Sequence, residues 1–306
     1  MTKTSTTILF FGSGPVAARS LELLAKNFEI EAVVTKPKPA GHHGDFPVIS
    51  LAEKLGLKTF TVLNKQELSA LFASKPVKSQ LGVVIDFGII IAQDVIDYFP
   101  LGIVNSHFSL LPQWRGADPI SFAILSGQPK TGVSLMVIDA GLDTGKLITQ
   151  KVLPISPTDT TPSLTDKLII LSNNLLADYL PRYISGEIKP HAQPHPTRAS
   201  HSRKLTKEDG LIEWSKPAEQ LEREIRAFID WPKSYTRLGG KEVIITGARA
   251  ESREQRADGE KLGEVIVEDK QLLVQTGDGL LVIEKLKPAG KAEMSAQAFL
   301  AGYKIN

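Results

Sequence analysis

VNSHFSLLPQWRGADPI fills residues 104–120, a third of the way along a chain of 306 residues. The apolar run Leu101-Gly102-Ile103-Val104 leads into it and reads as a strand. That strand ends in an amide and an imidazole two positions apart. Alternate side chains of a strand share a face, so Asn105 and His107 are expected to point the same way. In open α/β sheets, ligands bind outside the carboxyl ends of the strands. A tight Ser-Leu-Leu-Pro turn and an Arg-Gly pair follow at once. The stretch reads as half of an active site at the edge of a parallel sheet.

The flanking sequence supports such a sheet. Strand-like runs at 7–11, 30–35, 59–62, 81–85 and 103–107 alternate with helix-like segments at 15–26, 49–56, 92–98 and 119–126. Repeated strand-helix-strand units predict a mostly parallel sheet covered by helices. Residues 132–138 and 147–152 then read as a hairpin, and 163–184 as a long amphipathic helix packed on the sheet. The pattern changes at 185–203, SGEIKPHAQPHPTRASHSR, which holds three prolines and three histidines and reads as a linker. A helix at 218–228 and five strand-length runs at 235–238, 242–248, 263–268, 271–276 and 280–286 complete the chain. The expected fold is α/β: a Rossmann-like, mostly parallel sheet over residues 1–184, and a small closed OB-like β-barrel over 204–306.

Composition narrows the function. Hydrophobic residues make up 42% and charged residues 23%, as in soluble globular domains. A net charge of +2 is compatible with a polyanionic partner without requiring one. The chain has no cysteine, which excludes disulfides and thiolate chemistry. Its histidines lack metal-ligand spacing, so no metal is expected. No apolar run approaches the roughly 18 residues of a membrane span, and the polar start offers no signal segment. A cytoplasmic protein without a membrane partner is the expectation. Gly12-Ser13-Gly14-Pro15-Val16-Ala17 fits G-x-G-x-x-A, a dinucleotide pattern. However, the second strand ends Val34-Thr35-Lys36 with no acid for a ribose, and Pro15 removes an N–H from the loop. The glycines read as a tight turn, and no NAD is expected.

A second candidate lies at Met136-Val137-Ile138-Asp139-Ala140-Gly141-Leu142-Asp143-Thr144-Gly145. Alone, an Asp in a glycine-rich loop is usually a turn former. Together, N-x-H-x-S-L-L-P-x-x-R-G-x-x-P-I and D-x-G-L-D-T-G resemble the folate-dependent formyltransferases. RKLTKED at 203–209, IEW at 212–214, RAF at 226–228 with Trp231-Pro232, LKPAGK at 286–291 and Met294-Ser295-Ala296 resemble the second domain of members that act on methionyl-tRNA. The resemblance covers nearly the whole chain.

It implies 10-formyltetrahydrofolate as formyl donor and the α-amino group of initiator methionyl-tRNA as acceptor, for initiation of translation, by a monomer. An α-amine titrates near roughly 7.7–8.0, so much of it is nucleophilic near neutrality. The resemblance assigns Asn105 and a protonated His107 to the developing oxyanion. Asp143 keeps His107 charged and relays the amine proton, through water. It assigns the folate to Ser109, Leu110, Leu111 and Pro112, to Phe87, Ile89 and Ile90 in the loop 87–91, and to Asp139. Plain core packing is the open alternative for residues 89–91. Arg115 either contacts tRNA or fixes its own loop. The tRNA is expected at Lys36, Lys38, His42 and His43, and at Arg203, Lys204, Lys287 and Lys291 of the second domain. The loop KPKPAGHHGDF at 36–46 departs from the family's P-A-G-R-G-K-K, with His42 at the arginine position. Asp86, Ala92, Phe108 and Asp118 are further departures. Other readings keep the chemistry on an amino sugar or a ribonucleotide amine, or keep tRNA binding without catalysis.

Overall fold

The computed structural model describes residues 7–39, 41, 44–75, 77–252 and 261–303. The chain forms two units. The first comprises Met1–Gly116, Lys130–Pro154 and Thr165–Ser202, and the second Ala117–Pro129, Ile155–Leu164 and Arg203–Asn306. The second unit therefore takes two short stretches, Ala117–Pro129 and Ile155–Leu164, that interrupt the sequence of the first.

In chain order, the first half runs β1 (Thr7–Phe11), α1 (Gly14–Asn27), β2 (Glu29–Thr35), α2 (Pro47–Lys54), β3 (Lys58–Thr61), α3 (Lys65–Ala73), β4 (Gly82–Val84), α4 (Gln93–Asp97) and β5 (Ile103–His107). Then follow β6 (Arg115–Gly116), α5 (Pro119–Leu125), β7 (Lys130–Val137), β8 (Lys146–Pro154), α6 (Thr161–Ile184) and β9 (His201–Ser202). The main sheet of the first unit has seven strands in the order β3-β2-β1-β4-β5-β7-β8. β1 to β5 pair in parallel, while β7 runs antiparallel to both β5 and β8. This is the expected, mostly parallel sheet ending in a hairpin. Its buried strands are apolar on both faces, as helices on either side demand.

Phe11, Phe72, Phe87 and Phe99 form an aromatic cluster beside β1, with Phe11 centred 5.6 Å from Phe87 and 5.9 Å from Phe72. α3 was not anticipated. Its Asn64 N-cap accepts the Glu67 amide at 2.9 Å while the Glu67 side chain accepts the Leu63 amide at 2.8 Å, a capping arrangement that fixes the first turn. Gly12 is required by packing. A Cβ there would lie 2.6 Å from the Phe10 ring and 2.7 Å from Ala17, so only glycine lets α1 approach β1 this closely.

The second unit contains α5, α7 (Ala218–Ala227), β10 (Ser234–Leu238), β11 (Lys241–Glu251), β12 (Val265–Glu268), β13 (Gln271–Gln275), β14 (Leu280–Pro288), β15 (Met294–Ser295) and α8 (Ala296–Gly302). Its sheet is antiparallel, in the order β10-β11-β14-β13-β12, with β15 on β14. Leu221 and Ile225 of α7 and Phe299 of α8 pack with Val243, Leu281 and Leu286. The sequence pattern suggested a closed barrel. Among the described residues the sheet runs from β10 at one edge to β12 at the other, with β12 paired to β13. The observed class is a mixed α/β unit with a mostly parallel sheet, followed by an antiparallel β unit. No described helix is long and apolar enough to cross a membrane.

Candidate active site

The site is built from the end of β5. Ser106 points to one face, where its Oγ lies 2.6 Å from that of Ser172 on α6. Asn105 and His107 take the other face, as strand alternation requires. Both meet Asp143. Asn105 Nδ2 is 3.4 Å from Asp143 Oδ1, and His107 Nδ1 is 3.8 Å from Asp143 Oδ2. The second distance exceeds a hydrogen bond, so imidazole and carboxylate face each other across a small gap. His107 is buried, and its Nε2 lies 2.9 Å from the Trp114 carbonyl. A carbonyl only accepts, so Nε2 carries hydrogen and Nδ1 is the nitrogen turned toward Asp143.

Asp143 is held from several sides. Its Oδ2 accepts the Gly116 amide at 2.7 Å, and its backbone carbonyl accepts Gln193 Nε2 at 2.8 Å. Its φ of +52° is left-handed, uncommon for a residue with a side chain. Gly145 closes the loop, since a Cβ there would lie 1.9 Å from the Val137 carbonyl. Asp139 braces the same loop: its Oδ1 accepts the Gly141 amide at 3.0 Å and Thr144 Oγ1 at 2.7 Å.

The Ser-Leu-Leu-Pro turn faces inward. Ser109 is fully buried and its hydroxyl donates to the Gln113 carbonyl. Leu111 packs against Met136 and Leu147, Pro112 is buried, and Leu110 is half-buried. Ser134 on β7 supports the turn, donating to the Ser109 carbonyl at 2.6 Å and accepting the Leu111 amide at 3.0 Å. Gln150 adds a 2.8 Å bond to the Leu111 carbonyl. In the loop after β4, Phe87 belongs to the aromatic core and Ile89 packs against it, whereas Ile90 is 76% exposed. Asp86 is exposed, with φ +49°. Phe108 and Ala92 are buried.

The basic residues are distributed differently. Lys36 is half-buried, with Nζ 2.9 Å from where a Gly88 Cβ would stand, and Lys38 is exposed. His42 and His43 lie outside the described residues. Arg203 grips Asp209 through both terminal nitrogens, one at 2.7 Å. Lys204, Lys287 and Lys291 are exposed. In the second unit Asp118, left-handed at φ +55°, accepts the Leu205 amide at 3.0 Å. No group of His, Asp or Glu among the described residues could hold a metal ion.

Sequence reasoning missed Gln193, Ser134 and Gln150. Gln193 sits in the stretch read as a linker, and nothing local marks it. Residues 191–202 instead run along the first unit. His191 bridges Leu147, Ser200 bonds the backbone of Trp114 and Arg115, and β9 pairs in parallel with β6. Arg115 donates to Gln193 Oε1 at 2.7 Å, so it fixes its own loop through a side chain rather than through backbone carbonyls.

A strand-end amide and imidazole thus face a loop carboxylate at the end of a mostly parallel sheet. A family model described as formyl transferase matches residues 7–180, and one for the formyl transferase C-terminal domain matches 204–304. The chain belongs to the formyl transferase family. Within it, the chain is 38% identical over 305 residues to methionyl-tRNA formyltransferase of Roseiflexus castenholzii, covering 97% of this chain and 96% of the relative. In fold it resembles the N-formyltransferase of Helicobacter canadensis, solved with folinic acid and dTDP-3-aminofucose. There the TM-score is 0.67 at 21% identity, over 91% of this chain and 98% of that one. It also resembles HypX of Aquifex aeolicus, with a TM-score of 0.66 at 18% identity, over 99% of this chain. This chain spans 51% of HypX, about half that protein's length.

Proposed function

We infer that the protein transfers the formyl group of 10-formyltetrahydrofolate to the α-amino group of initiator methionyl-tRNA. The observation that carries the reading is the meeting of Asn105 and His107 with Asp143 at the end of β5. A full-length relative of that activity supports the choice of acceptor. A flat heterocycle fits a site walled by apolar surface with a few placed polar groups. Ile90, 76% exposed, and Leu142, 64% exposed, offer such surface in the two loops that flank β5. Leu110 and the backbone of residues 109–112 and 139–143 complete the set that would hold the donor. When bound, the donor supplies the formyl carbon as electrophile.

The chain's own residues do the rest. Asn105 Nδ2 presents an N–H to the developing oxyanion. His107 is oriented by the Trp114 carbonyl so that Nδ1 faces the same space. Asp143 Oδ2 accepts the Gly116 amide, and Oδ1, 3.4 Å from Asn105 Nδ2, keeps a lone pair to take the proton shed by the attacking amine and, through water, pass it to the donor nitrogen as its bond to the formyl carbon breaks. Preorganised donors of this kind act strongly because they do not reorient during the reaction. Lys36, Lys38, His42, His43, Lys204, Lys287 and Lys291 are assigned to tRNA phosphates, in a cytoplasmic, monomeric enzyme.

The test is formyl transfer from 10-formyltetrahydrofolate to charged initiator and elongator methionyl-tRNA over a salt series. Transfer to the initiator, weakening with salt as phosphate contacts require, is the expected result. Transfer to both would place weak selectivity in the altered loop at 36–46. Transfer to neither would overturn the assignment and direct the search to amino-sugar acceptors.

A further inference from the structure

Two residues anchor the proposed catalytic groups, and both have left-handed backbones. Trp114, at φ +57°, presents the carbonyl that holds His107; Asp143, at φ +52°, presents the carboxylate. Non-glycine residues persist there only when their surroundings over-determine them. The surroundings come from the tract at 191–202. Ser200 Oγ takes the Trp114 amide at 3.0 Å, and the Ser200 carbonyl takes the Arg115 amide at 2.9 Å. Gln193, buried, donates both Nε2 hydrogens to the loop carbonyls of Asp143 and Gly145, at 2.8 and 3.0 Å. Its Oε1 accepts Arg115 Nη2 at 2.7 Å. Arg115 lies between Trp114 and Gly116, whose amide holds Asp143 Oδ2.

We propose that Gln193 is a positioning residue that locks the Asp143 loop to the Trp114–Gly116 turn, setting the carboxylate relative to His107. The proposal rests on the formyl-transfer reading. Its chemistry is directional. The amide must turn NH2 to the two carbonyls and oxygen to the guanidinium, and no other side chain of this length does both. A glutamate at 193 keeps, and strengthens, the contact with Arg115 but sets a carboxylate against two carbonyls. A methionine fills the space and makes neither contact.

The experiment compares wild type, Gln193→Glu, Gln193→Met and Arg115→Met as full chains. It measures steady-state transfer to methionyl-tRNA, single-turnover rate with enzyme in excess, and Tm. Expected is a loss of about 100-fold in kcat and single-turnover rate for both Gln193 variants, the scale of a misplacement near 1 Å, with KM for tRNA unchanged. Arg115→Met, which leaves both carbonyl bonds in place, loses less. Wild-type kcat in Gln193→Glu, or a loss confined to KM, overturns the proposal. If Gln193→Met does not fold, Gln193→Glu alone decides. If neither folds, an Arg115→Met loss as large as that of Asp143→Ala places the control in Arg115 and overturns it, and a smaller loss supports it. Wild-type protein without any transfer would instead sink the formyl-transfer reading, and the proposal with it.

Discussion

The end of β5 and the tract at 191–202 fix the same carboxylate by opposite means. β5 brings its groups through local geometry: two side chains on one face of one strand, two positions apart. The tract brings no reacting group. It contributes bonds that close over long separations, 50 residues from Gln193 to Asp143 and 78 to Arg115. Reactive groups can thus sit in short, recognisable stretches while the rigidity that makes them effective is supplied from far along the chain. Both regions should slow the chemical step when altered, the first by losing a reacting group and the second by misplacing one.

The largest effect is expected at β5 and its partner. His107→Ala and Asp143→Ala should each lower kcat by about 10²–10³-fold, the range for a preorganised transition-state donor. His42→Ala should cost far less and act on KM for tRNA. Steady-state kinetics of the three variants checks this. Equal losses at all three would erase the division between chemistry and recognition.

A middle effect is expected beneath the Ser-Leu-Leu-Pro turn. Ser134 is fully buried and joins the Ser109 carbonyl, the Leu111 amide and Gln150 Nε2. Ser134→Ala leaves buried polar groups unpaired, which costs about 1–3 kcal/mol. Denaturant unfolding should show that loss, accompanied by a raised KM for the folate donor. A fall in Tm with KM unchanged would mean that the turn supports folding but not the donor.

Much of this was legible in the sequence. β5 was read at 103–107, as observed, because an apolar run bounded by a polar end has few alternatives. The pairing of Asn105 with His107 followed from alternation. α3 was missed because its capping residues, Asn64 and Glu67, frame a nine-residue segment with little apolar periodicity. The five strand-length runs of the second unit announced its antiparallel sheet, though they do not state the strand order β10-β11-β14-β13-β12. Ser109 illustrates a subtler limit: a polar residue in a recognisable motif reads as a ligand contact, and the motif does not announce that its hydroxyl also donates to the Gln113 carbonyl. Gln193 left no signal at all. An amide among prolines looks like solvated linker until the fold brings two carbonyls and a guanidinium to it. Asp118 explains itself only in three dimensions, as an αL residue that accepts the Leu205 amide where an alanine could not. Asp118→Ala should therefore lower stability by about 1 kcal/mol without slowing single-turnover transfer, a pairing of thermal melts and kinetics that isolates folding from chemistry.

The smallest effect sharpens the comparison most at Arg203. The sequence assigns it to tRNA, and the structure joins it to Asp209. The Arg203 guanidinium beside Asp209 holds that carboxyl well below the usual carboxylate range, helped by the Thr206 amide at 2.7 Å. A depressed carboxyl stabilises the fold above its unfolded value of about 3.9 and loses that contribution as pH falls toward its folded value. The Arg203→Ala and wild-type Tm curves should therefore lie apart at neutral pH and converge below about pH 4. Because Arg203 is 60% exposed, the gap should be about 0.2–1 kcal/mol. An ion pair that only closes its own loop leaves the salt dependence of tRNA binding unchanged. A phosphate contact removed would reduce the slope of log K against log salt by about 1. Converging melts with an unchanged slope would make Arg203 a clasp of the second unit, and the tRNA contacts would then fall to Lys204, Lys287 and Lys291, which are exposed. A reduced slope with identical melts would return Arg203 to the nucleic acid, with Asp209 holding the guanidinium ready until phosphate displaces it.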